Sequence, residues 1–159
     1  MHVRHFRARA STIGLAALLL ACDPFHAAVP IGVQPSLSLV NVALSVPRIS
    51  CSEEVDLDAN LVDAIVEARI DNRSAASVVV RRDAFRLVAS DGQSVPTSNW
   101  DAASPVEVPA RGSKNLQLLF STRGGLSCDR PMRLEPSNAA RQGARTVYLP
   151  PVSFRPGPG

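Results

Sequence analysis

Three groups of polar residues in this 159-residue chain have types and spacing that could carry chemistry. The first is acidic. Asp56-x-Asp58-x-Asn60, with Glu67 eleven positions after Asp56, copies the oxygen spacing of a twelve-residue calcium loop. Such a loop needs glycine at its sixth position for the sharp turn, and Leu61 stands there. At the eighth, where an apolar residue belongs, stands Asp63. The expectation is a solvated acidic turn, with Asp56, Asp58 and Asn60 as weak metal candidates and Glu53 and Glu54 as looser additions. No metal and no cofactor is assigned. The second group is basic. Arg81, Arg82 and Arg86 cluster around one turn, where they could meet an anionic partner such as a lipid headgroup or cell-wall polymer. Arginines on exposed strands also keep sheet edges from pairing with other chains. The third is Ser113 beside Lys114, the only lysine. Adjacent residues on a strand point to opposite faces, so these two cannot share a proton as a serine–lysine pair would.

Histidine is informative by position. His2, His5 and His26 all stand near the amino terminus, and none follows. Beyond residue 26 there can be no Ser/His or Cys/His nucleophile pair, no imidazole base and no histidine-based zinc or copper site. Nothing assembles a nucleophile, a base and oxyanion donors, so the reading is of a protein that is not an enzyme. Trp100, the only tryptophan, falls in a stretch without strand pattern. There it can anchor a protein partner, since a few aromatics often dominate interface energy, or fold back to cap the end of the domain.

Before any of this comes a leader. Arg4, Arg7 and Arg9 precede an apolar run from Ile13 to Ala21, with no acidic residue before Asp23, the order of a secretory signal. The run is about half of the ~20 residues a membrane-spanning helix needs. Leu19-Leu20-Ala21-Cys22 resembles the lipobox of bacterial lipoproteins. That resemblance implies cleavage of residues 1–21 and lipid on Cys22, hence a protein of the bacterial envelope, anchored to a membrane and facing the periplasm or the exterior. Which membrane stays open, and ordinary secretion is the competing reading. The chain has 17 basic and 14 acidic residues; the leader takes three arginines and no acid, so the remainder is balanced. A nucleic-acid partner, which needs a basic face, is not expected. Cys51 and Cys128 are then an even pair in an oxidising compartment. A disulfide between them is expected; two buried thiols or half of a metal site are the alternatives.

The elements that must position these residues read as short strands. Residues 22–36, with Pro24, Pro30 and Pro35, read as the lipidated cysteine and a flexible tether, 37–154 as one domain, and 155–159 as a disordered tail. Within the domain Val40, Val42, Leu44 and Val46 alternate with polar or small residues until Pro47, which should end the strand; Leu37 and Leu39 are out of phase, suggesting a bulge near Leu39. Val62, Ala64, Val66, Ala68 and Ile70 alternate with mostly charged residues, a half-buried strand, although Val55, Ala59, Val62, Val66 and Ile70 also fit helical spacing. Val78–Val80, Phe85–Ala89, Val95, Val106–Val108, Leu116–Phe120, Met132–Leu134 and 145–154 continue the series, with Ser90-Asp91-Gly92-Gln93 as a hairpin turn. Seven or eight short strands at this spacing predict an all-β, antiparallel sandwich.

A family resemblance rests on the same residues. Asn72 and Ser74 at a strand end, Phe85 and Leu87 entering the Asp91-Gly92 turn, and Pro109 and Gly112 leading to a strand that ends in Phe120 resemble the immunoglobulin-like extracytoplasmic domains of bacterial lipoproteins grouped as telokin-like domains of unknown function. The resemblance covers roughly residues 60 to 122 and implies an immunoglobulin-like sandwich with no catalytic residues. The functional expectation is a membrane-anchored binding, scaffold or accessory module, in contact with the membrane through Cys22 and with another envelope protein. The alternative is a ligand or ion binder using the acidic turn 53–60 or the arginine cluster 81–86.

Overall fold

The structure is a computed structural model that describes residues 24–32, 41–55 and 60–157. The leader, Cys22, Asp56, Asp58 and the proposed bulge at Leu39 lie outside the described residues. The chain is all-β and antiparallel. Its strands are β1 (His26–Pro30), β2 (Val42–Val55), β3 (Asn60–Asn72), β4 (Val78–Arg81), β5 (Phe85–Ala89), β6 (Ser94–Pro96), β7 (Pro105–Val108), β8 (Gly112–Arg123), β9 (Met132–Pro136), β10 (Ala140–Gln142), β11 (Arg145–Val147) and β12 (Val152–Pro156), with one 3-10 turn at Arg82–Ala84. Eight strands form a sheet in the order β6-β5-β9-β12-β1-β2-β3-β8, and four form a second in the order β11-β10-β4-β7.

The large sheet is folded on itself, and β1 is the crease. His26 and Ala27 pair with Ile49 and Arg48 of β2, whereas Ala28, Val29 and Pro30 pair with Pro156, Arg155 and Phe154 of β12. One strand thus serves two layers, β2-β3-β8 on one side and β12-β9-β5-β6 on the other. The far edges approach each other where the Ser98 amide, just past β6, donates to the Leu119 carbonyl of β8 at 2.7 Å. Inward-facing residues of both layers and of the small sheet share one core: Phe85, Phe120 and Phe154 are fully buried, as are Ile49, Leu87, Leu118, Leu134, Val78 and Val80. The alternation that predicted this is exact on β3, where Val62, Ala64, Val66, Ala68 and Ile70 are all buried. The helical alternative for that segment is ruled out by its full antiparallel register with β2 and β8.

Four expectations need correction. The tether is in part a strand: residues 26–30 are β1, so the domain begins well before residue 37. The tail is in part a strand too, because Arg155 and Pro156 belong to β12 and the Gly157 amide donates to the Ala27 carbonyl at 2.8 Å. Pro47 does not end β2. The register slips between Ser45, opposite Arg69, and Arg48, opposite Glu67, so Val46 and Pro47 together face Ala68 in a bulge that absorbs the proline's missing N–H. Finally, the strands among the described residues number twelve, and β2, β3 and β8 are 14, 13 and 12 residues long, so they are not uniformly short. Cys51 and Cys128 form a disulfide across a sequence separation of 77. It ties the distal half of β2 to the loop between β8 and β9.

Candidate functional site

The arginine cluster predicted at 81–86 does not assemble. Arg81 ends β4 in the small sheet and is ion-paired with Asp83, whose hydrogen bond and charge raise the guanidinium's pKa further. Arg82 turns to Asp101, its Nη1 2.6 Å from Oδ2. Arg86 belongs to β5 of the large sheet, between Pro96 and Glu135 of its neighbours. Two of the three are committed to carboxylates, and the third lies on another layer.

The calcium reading loses its last ligand. Glu67 is buried on β3 and accepts Nε and Nη2 of Arg48, at 3.1 and 2.6 Å, and Nδ2 of Asn115 at 3.2 Å. Arg48 in turn lies over the Phe25 ring, 5.2 Å from its centroid. A polar ladder therefore crosses the outer face from the segment before β1 through β2 and β3 to β8. Asn60 begins β3, seven positions from Glu67, roughly 23 Å along a strand. Among the described residues no three metal-ligating side chains converge. Near the disulfide, Glu53 accepts the Ser127 hydroxyl and the Cys128 amide, and Ser127 also lies against Asp129, whose carboxyl that contact holds below the usual aspartate range.

Trp100 does not cap the sandwich: it is 96% exposed. Its neighbours on both sides are nevertheless pinned. Asn99 holds the edge of β8 as a short strand would, its Nδ2 donating to the Gln117 carbonyl at 3.1 Å and its Oδ1 accepting the Leu119 amide at 2.9 Å. Asp101 accepts Arg82 and, through its carbonyl, the Ser104 amide, and the Ala102 carbonyl accepts the Asp83 amide at 3.0 Å. A large aromatic is thus displayed, exposed, on a braced loop.

A second arrangement was not foreseen. Arg69, Arg73 and Arg111 line a groove of about 460 Å³ with Asp71, Asn72, Gly112 and Ser113. The groove exists because β3 and β8 are in register, Asp71 opposite Ser113 and Asn72 opposite Gly112. Asn72 is buried and locks the two turns that carry Arg73 and Arg111: its Nδ2 lies within hydrogen-bond reach of the carbonyls of Ala76, Val108 and Pro109, and its Oδ1 accepts the amide and hydroxyl of Ser74. Arg69 is oriented by Asp71 and Ser113, with Nε 3.0 Å from Oδ1 and Nη2 3.1 Å from Oγ. Arg111 has a φ of 51°, in the left-handed region that β-carbon-bearing residues other than Asn and Asp seldom adopt. At Gly112 a β-carbon would lie 2.7 Å from the Pro109 ring, so any larger residue there would have to displace that ring. No sequence signal marked the three arginines as a group, because 69 and 111 meet only through strand pairing.

The fold thus defines a protein of antiparallel, sandwich-like layers, stapled by one disulfide and carrying two exposed features, an aromatic loop and a basic groove. No family model matches the chain, and no curated protein matches it. Among solved structures it is similar to a functionally unknown protein from Listeria monocytogenes EGD-e, at 12% identity over 69% of this chain and 71% of that one, with a TM-score of 0.44.

Proposed function

We propose that the protein is a bacterial envelope lipoprotein, held to a membrane by lipid on Cys22, whose telokin-like, immunoglobulin-like domain is a non-catalytic contact module. The observation that carries the contact role is Trp100, 96% exposed between two residues fixed by hydrogen bonds and an ion pair. An exposed tryptophan on a loop ordered before binding loses little entropy when a partner covers it, which is how a small patch reaches useful affinity. Support for the anchor is the leader and its Leu-Leu-Ala-Cys ending. Phe25 and His26 are already engaged with β2 only three and four residues after Cys22. A leash from Cys22 to Phe25 spans at most about 11 Å, so the domain would sit close against the bilayer. The partner expected at Trp100 is another envelope protein.

Two measurements test the reading. Intact mass spectrometry of the protein purified from its host's membranes should show loss of residues 1–21 and added acyl chains; a full-length or acyl-free mass overturns the anchor. A photo-crosslinking residue placed at position 100 should give a discrete protein adduct in the native envelope, and one placed at exposed Tyr148 should not. Equal, diffuse labelling from both positions removes the contact role of the tryptophan.

A further inference from the structure

We propose that the groove lined by Arg69, Arg73 and Arg111 is a binding site for a phosphate ester. Its lining carries three guanidinium groups against one carboxylate, Asp71, and Asp71 is already spent in orienting Arg69. Guanidinium is the side chain of choice for such a ligand, since its planar fork meets two oxygens at once and stays charged at every physiological pH. A tetrahedral phosphate oxyanion presents more acceptor oxygens than a carboxylate, which suits a wall carrying several guanidinium groups. The Ser113 hydroxyl adds a further polar group at the same wall. A volume of about 460 Å³ exceeds a bare phosphate and leaves room for the group it esterifies.

Preorganisation separates this groove from an ordinary basic surface. Asn72 holds the turn that carries Arg73 through Ser74 and Ala76 and the turn that carries Arg111 through the carbonyls of Val108 and Pro109, so both arginine backbones are fixed before any ligand arrives. Arg111 holds the left-handed conformation, in which a β-carbon crowds the following carbonyl oxygen as glycine does not. A turn selected for stability alone would carry glycine or asparagine at that position. The side chain is what the strain retains. Arg111 also makes no ion pair among the described residues, whereas Arg69, Arg81 and Arg82 all do.

The groove lies at the end of β3 and the start of β8, and β1 joins β2 opposite Arg48 and Ile49, whose partners on β3 are Glu67 and Val66. A phosphate ester in solution and a phospholipid headgroup share the chemistry that this lining meets.

The test is calorimetric titration of the purified full-length protein with inorganic phosphate, glycerol 3-phosphate and glycerophosphoglycerol, the last being a water-soluble phospholipid headgroup, with acetate at matched ionic strength as comparison. Phosphate and glycerol 3-phosphate should bind, and acetate should not. Arg111→Gly should weaken binding roughly tenfold, the loss of one charge-assisted contact, while thermal stability holds or rises because the left-handed strain is released. Arg69→Gln, which leaves that turn untouched, should weaken binding as well, and Arg81→Ala should not. Binding of glycerophosphoglycerol alone, still lost in Arg111→Gly, keeps the groove and makes the ligand a lipid headgroup. Equal response to acetate, or phosphate binding indifferent to both groove variants, overturns the proposal. The titration reads the groove whether or not Cys22 is acylated, so its outcome stands apart from the mass measurement that tests the anchor.

Discussion

At the scale of single residues, the polar groups that matter structurally are those whose partners are far apart in the chain. Asn72 is the clearest, since nearly all of its surface is lost and its amide serves two turns nearly forty positions apart. Replacing it with alanine leaves the carbonyls of Ala76, Val108 and Pro109 without that donor. Asn72→Ala is expected to cost about 3 kcal/mol, read as a lower midpoint in chemical denaturation with an unchanged slope. Ser127 sets a smaller, pH-dependent effect. Its hydroxyl holds the Asp129 carboxyl below the ordinary aspartate range, so the contribution is fully present above the unfolded-state pKa and is lost as pH falls through the lower folded value. In Ser127→Ala the Asp129 carboxyl should titrate at higher pH than in the wild type, followed by carbon-13 resonance of that side chain. An unmoved titration would mean that the hydroxyl belongs to Glu53 instead.

At the scale of elements, the disulfide is the main covalent constraint. It closes a loop of 77 positions and joins β2 to the β8–β9 connection. On the chain-entropy account a loop of that length is worth about 4 kcal/mol, which in a domain of this size corresponds to roughly 15 °C in melting temperature. Exchanging both cysteines for serine should produce a fall of that order by circular dichroism. A shift of only a degree or two would show that the reduced chain is already restrained by β2–β3 pairing. The elements also differ in how far they could be read from their residues. β3 was legible because five alternating apolar residues face one core, and the Asp91-Gly92 hairpin because its turn chemistry is local. β2 was read only to Pro47, since proline ordinarily ends a ladder and nothing local announces a bulge that accommodates it. β1 was missed because His26-Ala27-Ala28-Val29-Pro30 has neither alternation nor β-branched density; it is a strand because two neighbours offer it hydrogen bonds. The candidate sites divide the same way. Trp100 stood out by its type, but its bracing by Asn99 and Asp101 was invisible. Arg69, Arg73 and Arg111 passed unnoticed because only the β3–β8 register brings them together, while the arginines that cluster in sequence are dispersed by the fold.

At the scale of the whole molecule, the organisation depends on the shortest and least conspicuous of these pieces. Among the described residues β1 is the only strand whose two halves pair with different layers, His26–Ala27 with β2 and Ala28–Pro30 with β12. Without it, β2 and β12 would each present unpaired backbone groups in the middle of the sheet, where exposure to solvent or to another chain invites mispairing. The lost pairings, and the contact of Gly157 with Ala27, would also free the last strand. If residues 22–36 were merely a tether, a chain starting at Ile31 would fold as well as one starting at Pro24. The pairing of β1 requires the opposite: the chain from Pro24 should melt cooperatively as a monomer, and the chain from Ile31 should melt lower, with a broadened transition, or aggregate. If Cys22 carries lipid as proposed, the strand that joins the layers begins four residues after the anchor, so a pull on it would reach the crease of the sheet with almost no slack and the domain would not turn freely above the membrane. Inserting a flexible segment between Asp23 and Pro24 should therefore leave the melting temperature unchanged while widening the set of neighbours crosslinked from position 100. An unchanged set would mean that Trp100 selects its partner by contact alone.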